Sequence, residues 1–134
     1  MKEVTSFLEK SGVQYFSTVG LDSRPKVRPF QFMIEKDGKL YFCTSNKKNV
    51  YKELSENPWV ELCASGENFS WMRLSGKAMF AADVSIKAAI QGASELVKSI
   101  YKTPENPDFE IFYLDNAKAV IADFSGEPPR EFVL

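Results

Sequence analysis

Three short stretches of this chain carry side chains that can do chemistry. The first is Thr44-Ser45-Asn46-Lys47-Lys48-Asn49, which packs two hydroxyls, two amides and two ammonium groups into six residues. It lies between Leu40-Tyr41-Phe42-Cys43, a run of strand-forming types, and the pair Val50 and Leu54, whose i, i+4 spacing marks a helix. A strand-to-helix junction of this kind presents unpaired backbone N–H groups and the positive end of a helix dipole, both of which favour an anion. Two readings fit the hexapeptide. In one, Ser45 or Asn46 caps the helix and the lysines point into water. In the other it is a phosphate cradle, suited to a mononucleotide-type phosphate, because neither GxxxxGK[ST] nor GxGxxG occurs in the chain.

The second stretch is Arg28-Pro29-Phe30-Gln31. Alternation along Lys26 to Glu35 puts Arg28, Phe30, Phe32 and Ile34 on one strand face. Phe30 and Phe32 read as core, whereas an arginine beside buried phenylalanines wants an anionic or stacked partner, unless it reaches solvent past a bulge at Pro29. The third stretch is Trp71-Met72-Arg73, whose first and last residues share a face that suits either a planar ligand or a dimer contact. What is missing is equally informative. The chain has no histidine, which excludes Ser-His and Cys-His nucleophile systems and leaves any chemistry to other groups or to a cofactor. Cys43 and Cys63 lack any CxxC or Cys/His spacing, so they read as small core residues, and no metal site is expected.

These stretches are positioned by a regular pattern. Residues 2–11 read as a helix stopped at Gly12, and strands follow at 13–21, 26–35, 40–43, 59–64 and 70–80. Asp22-Ser23-Arg24-Pro25 and Lys36-Asp37-Gly38-Lys39 read as turns, and Asn57-Pro58 as the stop of the helix after the hexapeptide. Asp83 is the expected N-cap of one long helix from Val84 to about Tyr101, and two further strands are expected at Phe109–Leu114 and Lys118–Asp123. The Pro-rich tail from Ser125 to Arg130 reads as extended or mobile. Short antiparallel connections and modest strand lengths predict an α+β fold with a closed or nearly closed antiparallel barrel, built as a single domain over residues 1–134.

Composition narrows the function classes. Seventeen basic residues against eighteen acidic ones, with a pI near 5.6, argue against a surface built to neutralise nucleic acid. No stretch approaches the ~18 apolar residues that span a bilayer, and Met1-Lys2-Glu3-Val4 does not open a signal peptide, so a cytoplasmic location is expected.

The order RPKVRPFQF, LYFCTSNKKNVYKELSENPWVEL and WMRLSGKA makes the chain, from about Val13 to Ser125, resemble the pyridoxamine-5′-phosphate-oxidase-like flavoproteins. The likeness is greatest to their short bacterial members, related to nitroimidazole-resistance and general-stress proteins. That resemblance implies a six-stranded antiparallel split β-barrel with flanking helices, forming a homodimer with FMN at the subunit interface. It further implies that Arg28, Pro29, Phe30 and Gln31 line the isoalloxazine ring, and that Thr44, Ser45, Lys47, Lys48 and Asn49 hold the phosphate. Trp71 and Arg73 would approach from the partner subunit. The implied activity is transfer of hydride or electrons through FMN between a small-molecule donor and acceptor, with Arg28 or Arg73 stabilising reduced flavin. The alternative is a flavin-binding redox sensor or cofactor store; relatives of this barrel also bind deazaflavin or haem. The chain departs from the pyridoxamine oxidases in ending Pro128-Pro129-Arg130-Glu131-Phe132-Val133-Leu134, and from the nitroimidazole-resistance proteins in lacking histidine, so neither of those particular activities is expected.

Overall fold

A computed structural model describes residues 1–134. Helix α1 (Lys2–Ser11) buries Val4 and Leu8 and ends at Gly12, whose φ of 72° explains the glycine. Then come β1 (Gln14–Val19), β2 (Pro25–Phe30), β3 (Ile34–Lys36), β4 (Lys39–Ser45), α2 (Asn49–Glu56), β5 (Trp59–Ser65) and β6 (Trp71–Ala81). The chain finishes with α3 (Val84–Ala93), α4 (Glu95–Tyr101), β7 (Phe109–Ala122) and β8 (Arg130–Val133). No helix is long and apolar enough to cross a membrane.

The strands form one antiparallel sheet in the order β2-β1-β5-β6-β7-β4-β3, with β8 added to β7. Its two outermost strands, β2 and β3, are consecutive in sequence and separated only by Gln31-Phe32-Met33. The sheet therefore curls until both edges belong to one stretch of chain. That connection is pinned from both sides: the Phe32 N–H donates to Gln14 Oε1 on β1 (2.6 Å), and the Met33 N–H to the Tyr41 carbonyl on β4 (3.0 Å). Such closure limits exposed edges, and it explains Pro29, which lies on a strand paired on one side only.

Phe16, Phe42, Phe112, Leu62, Met72 and Leu74 fill the barrel, with Phe16 stacked on Phe30 at 4.6 Å between ring centroids. A second core lies outside the barrel wall, where Tyr41, Phe109 and Ile111 are covered by Ile86, Ile90, Val97 and Tyr101 of α3 and α4. Strands β4 and β7 are thus buried on both faces, which accounts for their nearly continuous apolar runs.

The α+β barrel agrees with the sequence expectation, with eight strands where the residue pattern gave seven and the resemblance six; the run expected at 26–35 is divided into β2 and β3 by Gln31-Phe32-Met33. Part of the difference is the tail: residues 130–133 pair with Lys118–Ile121 of β7 instead of trailing free, and Arg130 pairs with Glu3 of α1. The strands expected at 109–114 and 118–123 are a single strand, because β6 runs alongside throughout and a bulge near Gly76 absorbs the irregularity at Asp115-Asn116. The expected long helix breaks at Ser94, whose hydroxyl accepts from the Val97 N–H (3.2 Å) and starts α4 in a new direction. Neither cysteine is fully buried: Cys43 is half-buried, and Cys63 is exposed on the outer face of β5, so the core reading fails for it.

Candidate functional site

Helix α2 begins without help from the residues expected to cap it. Its N-cap is Lys48, with extended backbone (φ −89°, ψ 152°) and no side-chain hydrogen bond to the first turn. Ser45 Oγ instead accepts from the Lys47 N–H (3.1 Å). Asn46 donates through Nδ2 to the Pro107 carbonyl (2.7 Å) and Glu110 (2.9 Å), which ties the turn to β7. The capping reading of the hexapeptide is thereby overturned, and the opening N–H groups of α2 have no side-chain acceptor.

Beside this open end lies Thr44. It shares the inward face of β4 with Phe42 and is 3% exposed, yet its hydroxyl oxygen has no hydrogen-bond partner. A buried, unpaired hydroxyl costs roughly 1–3 kcal/mol, so protein interiors rarely keep one without a use. The next residue, Ser45, faces the opposite side of the strand with Cys43. Burial pushes the Cys43 thiol up to about 11, against the opposing pull of the Lys48 charge. Lys47 is exposed and 4.0 Å from Asp108. Thr44 and Ser45 thus face opposite sides of β4, while Lys47, Lys48 and Asn49 are exposed at the turn and the start of α2.

Arg28 and Phe30 point into the barrel, since their cross-strand neighbours are Phe16 and Gln14. Pro29 points out, opposite Tyr15, and Gln31 is exposed in the β2–β3 connection. These four residues therefore do not share one surface. The partner Arg28 required is Glu53: Nη2 donates to Glu53 Oε1 (2.7 Å), and Nη1 to Thr18 Oγ1 (2.8 Å) and the Phe16 carbonyl (3.1 Å). Thr18 in turn donates to Glu53 Oε1 at 2.7 Å. Sequence reasoning missed Glu53 and Thr18. The signal was available for Glu53, which follows Val50 by three residues and adjoins Leu54, placing an acid on the apolar stripe of α2 where it needs a cation.

Trp71 and Arg73 share the outer face of β6, which β5 and β1 separate from β2. Arg73 lines a groove of about 510 Å³ with Tyr15, Val27 and Cys63, and makes no ion pair. Trp71 packs against Phe124 (5.2 Å), itself largely exposed. Within one chain these two residues belong to a different surface from the α2 turn.

The family model described as pyridoxamine 5′-phosphate oxidase matches residues 1–120. A NimC/NimA family protein from Clostridium acetobutylicum superposes with a TM-score of 0.92 at 30% identity, covering 100% of this chain and 92% of that one. A pyridoxamine 5′-phosphate oxidase-related, FMN-binding protein from Nostoc punctiforme superposes at 0.75 with 16% identity, covering 97% and 86%. A haem-binding protein from Mycobacterium smegmatis does so at 0.78 with 15% identity, covering 98% and 56%. The last two likenesses speak to the fold alone. A search of the curated proteins found no match.

Proposed function

Since the chain belongs to the pyridoxamine 5′-phosphate oxidase family, we propose that it binds FMN and acts as an oxidoreductase toward a small-molecule acceptor. The observation that carries this reading is the Thr44 hydroxyl, buried and unpaired beside a helix that no side chain caps. A phosphate there would accept from that hydroxyl and from the first N–H groups of α2, while Lys48 would neutralise part of its charge. Asn49 would complete the grip; Ser45, on the other side of β4, and Lys47 lie outside it.

Bound FMN would supply the redox chemistry, exchanging a hydride or electrons with small donors and acceptors. The chain's own part is to hold, orient and polarise. Arg28, fixed on the inner face of β2, would place positive charge where reduction makes the flavin anionic. Phe30 stacks on Phe16 and gives that side of the site a rigid apolar wall.

In this reading the outer face carrying Tyr15, Val27 and Arg73 is covered by a second copy of the chain, which brings Trp71 and Arg73 to the partner's flavin. Tyr15 and Val27, on the outer face of the adjoining strands β1 and β2, are 55% and 67% exposed and form an apolar patch that a partner would cover.

Fluorescence titration of the ligand-free protein with FMN and with riboflavin tests the first claim. FMN should bind at least about tenfold more tightly, the worth of one charged hydrogen bond to phosphate. Equal affinities, or no binding of either, would remove the cradle. Reduction of the bound flavin by NADH or NADPH and turnover with an added acceptor mark an enzyme; bound flavin that stays inert marks a redox-sensing or storage module. Light scattering of the eluting protein reads the second copy.

A further inference from the structure

We infer that Glu53 is a positioning residue that aims Arg28 and offsets its charge, and that Arg28, not Arg73, therefore sets how readily the bound flavin is reduced. This rests on the reading that the site holds FMN.

Arg28 is held on three sides. Of its five N–H donors, three are taken by the Phe16 carbonyl, Thr18 Oγ1 and Glu53 Oε1; the Nε–H and one Nη2 hydrogen remain uncommitted. A planar guanidinium with three fixed contacts has a fixed orientation, so its two remaining donors point one way. Glu53 is equally constrained: its side chain is 6% exposed, Oε1 accepts from both Thr18 and Arg28, and Oε2 accepts from neither.

Stability does not explain this arrangement. A buried ion pair spends about as much in desolvation as its attraction returns, and apolar residues of similar volume commonly serve as well. Here the pair sits directly behind the Phe16–Phe30 stack, where an apolar replacement would pack easily. What an ion pair does there, and an apolar pair would not, is hold a charge in a set place in low dielectric. Arg73 offers the contrast: it makes no ion pair within the chain, so nothing in its own subunit fixes where its charge sits.

Glu53 also lies one turn beyond Asn49 on the helix whose N-terminus forms the cradle. The grip on a phosphate at one end of α2 and the aim of Arg28 near its middle are thus set by the same rigid element.

The test is the midpoint potential of the FMN-loaded protein, with the ligand-free protein as an independent readout. Glu53→Gln keeps the shape but removes the offsetting charge. The reduced, anionic flavin should then bind about tenfold more tightly relative to the oxidised form, a positive shift of about 30 mV for a two-electron couple. Arg28→Ala should shift the potential negative, and Arg73→Ala by less than Arg28→Ala. In the ligand-free protein the Arg28 Nη protons held by the Phe16 carbonyl, Thr18 and Glu53 should give resolved, slowly exchanging NMR signals, and Glu53→Gln should weaken the one on Nη2. Should Glu53→Gln fail to fold, Arg28→Lys carries the test: it keeps the charge but loses the fork, and a negative shift is expected.

An unchanged potential in a folded, flavin-replete Glu53→Gln or Arg28→Lys protein overturns the inference and leaves FMN binding standing. So does a larger shift from Arg73→Ala than from Arg28→Ala. Failure of the unmodified protein to bind FMN overturns both, and is seen before any variant is made.

Discussion

Helices α2 and α3 start in opposite ways. At α3 the Asp83 carboxylate accepts from the Ser85 N–H (2.9 Å), the Ile86 N–H (3.3 Å) and the Ser85 hydroxyl (2.6 Å), so the opening turn is satisfied from within the chain. At α2 the N-cap is a lysine, which can donate but not accept, and the nearest buried hydroxyl has no partner. At the exposed start of α2 the same backbone demand is left to water or to an acceptor from outside the chain. The contrast concerns the opening turns alone, since α3 carries a buried unpaired group of its own, Gln91 Nε2; what sets α2 apart is an uncapped N-terminus on the same chain turn as an unpaired Thr44.

The comparison can be broken most severely by making α2 resemble α3. Lys48 already has the extended backbone of an N-cap, so Lys48→Asp should cap the helix itself. The ligand-free protein should gain about 1 kcal/mol in denaturant unfolding. FMN affinity should fall at least about 100-fold, because a favourable charge becomes a repelling one. A Lys48→Asp protein that binds FMN as before would end the cradle reading. Next in size is Thr44→Val, which keeps the volume and deletes the unpaired hydroxyl. Affinity for FMN should drop about tenfold while stability holds or rises, since a buried orphan has been removed.

The converse change sits at the other helix. Asp83→Ala should lower the melting temperature at neutral pH without altering FMN affinity. The Ser85 hydroxyl and the Ile86 and Ser85 N–H groups hold the Asp83 carboxyl below its usual range. Its stabilising contribution is therefore present above the ordinary carboxylate pKa and is lost as pH falls through the lowered folded value. The gap between variant and parent should close in acid, and a pH-independent gap would mean that Asp83 acts otherwise. The smallest expected effect concerns the thiols. At pH 8 only about one Cys43 in a thousand is ionised, given a pKa of about 11, whereas Cys63 is exposed. A thiol reagent should modify only Cys63, and faster in dilute protein where the groove it lines with Tyr15 and Arg73 is free of a second copy; Cys63→Ser should abolish the reaction.

Much of this was legible in the residues. Val50 and Leu54 announced α2, Asp37-Gly38 the hairpin between β3 and β4 (φ 51° and 78°), and Asp83 the start of α3. Arg28 was legible as a residue in want of a partner. Sequence missed that the partner is Glu53, because an ion pair between β2 and α2 joins positions 25 residues apart whose proximity only the barrel creates. It missed β8 because four residues of tail become a strand only when the β7 edge is there to pair with. One of its two readings of the hexapeptide made Ser45 or Asn46 the cap, since both have capping chemistry. Tertiary contacts drew Asn46 away to Pro107 and Glu110, and the turn moved the helix start to Asn49.

The sequence by itself determined most of the strand and helix segments and which residue types meet at the strand-to-helix junction, because those follow from local spacing and side-chain chemistry. Only the tertiary structure decided which polar groups find partners. Pairing depends on what the closed sheet brings within 3 Å, and closure turned Arg28 inward to Glu53, left Thr44 buried without an acceptor or donor, and set Trp71 and Arg73 on the opposite face.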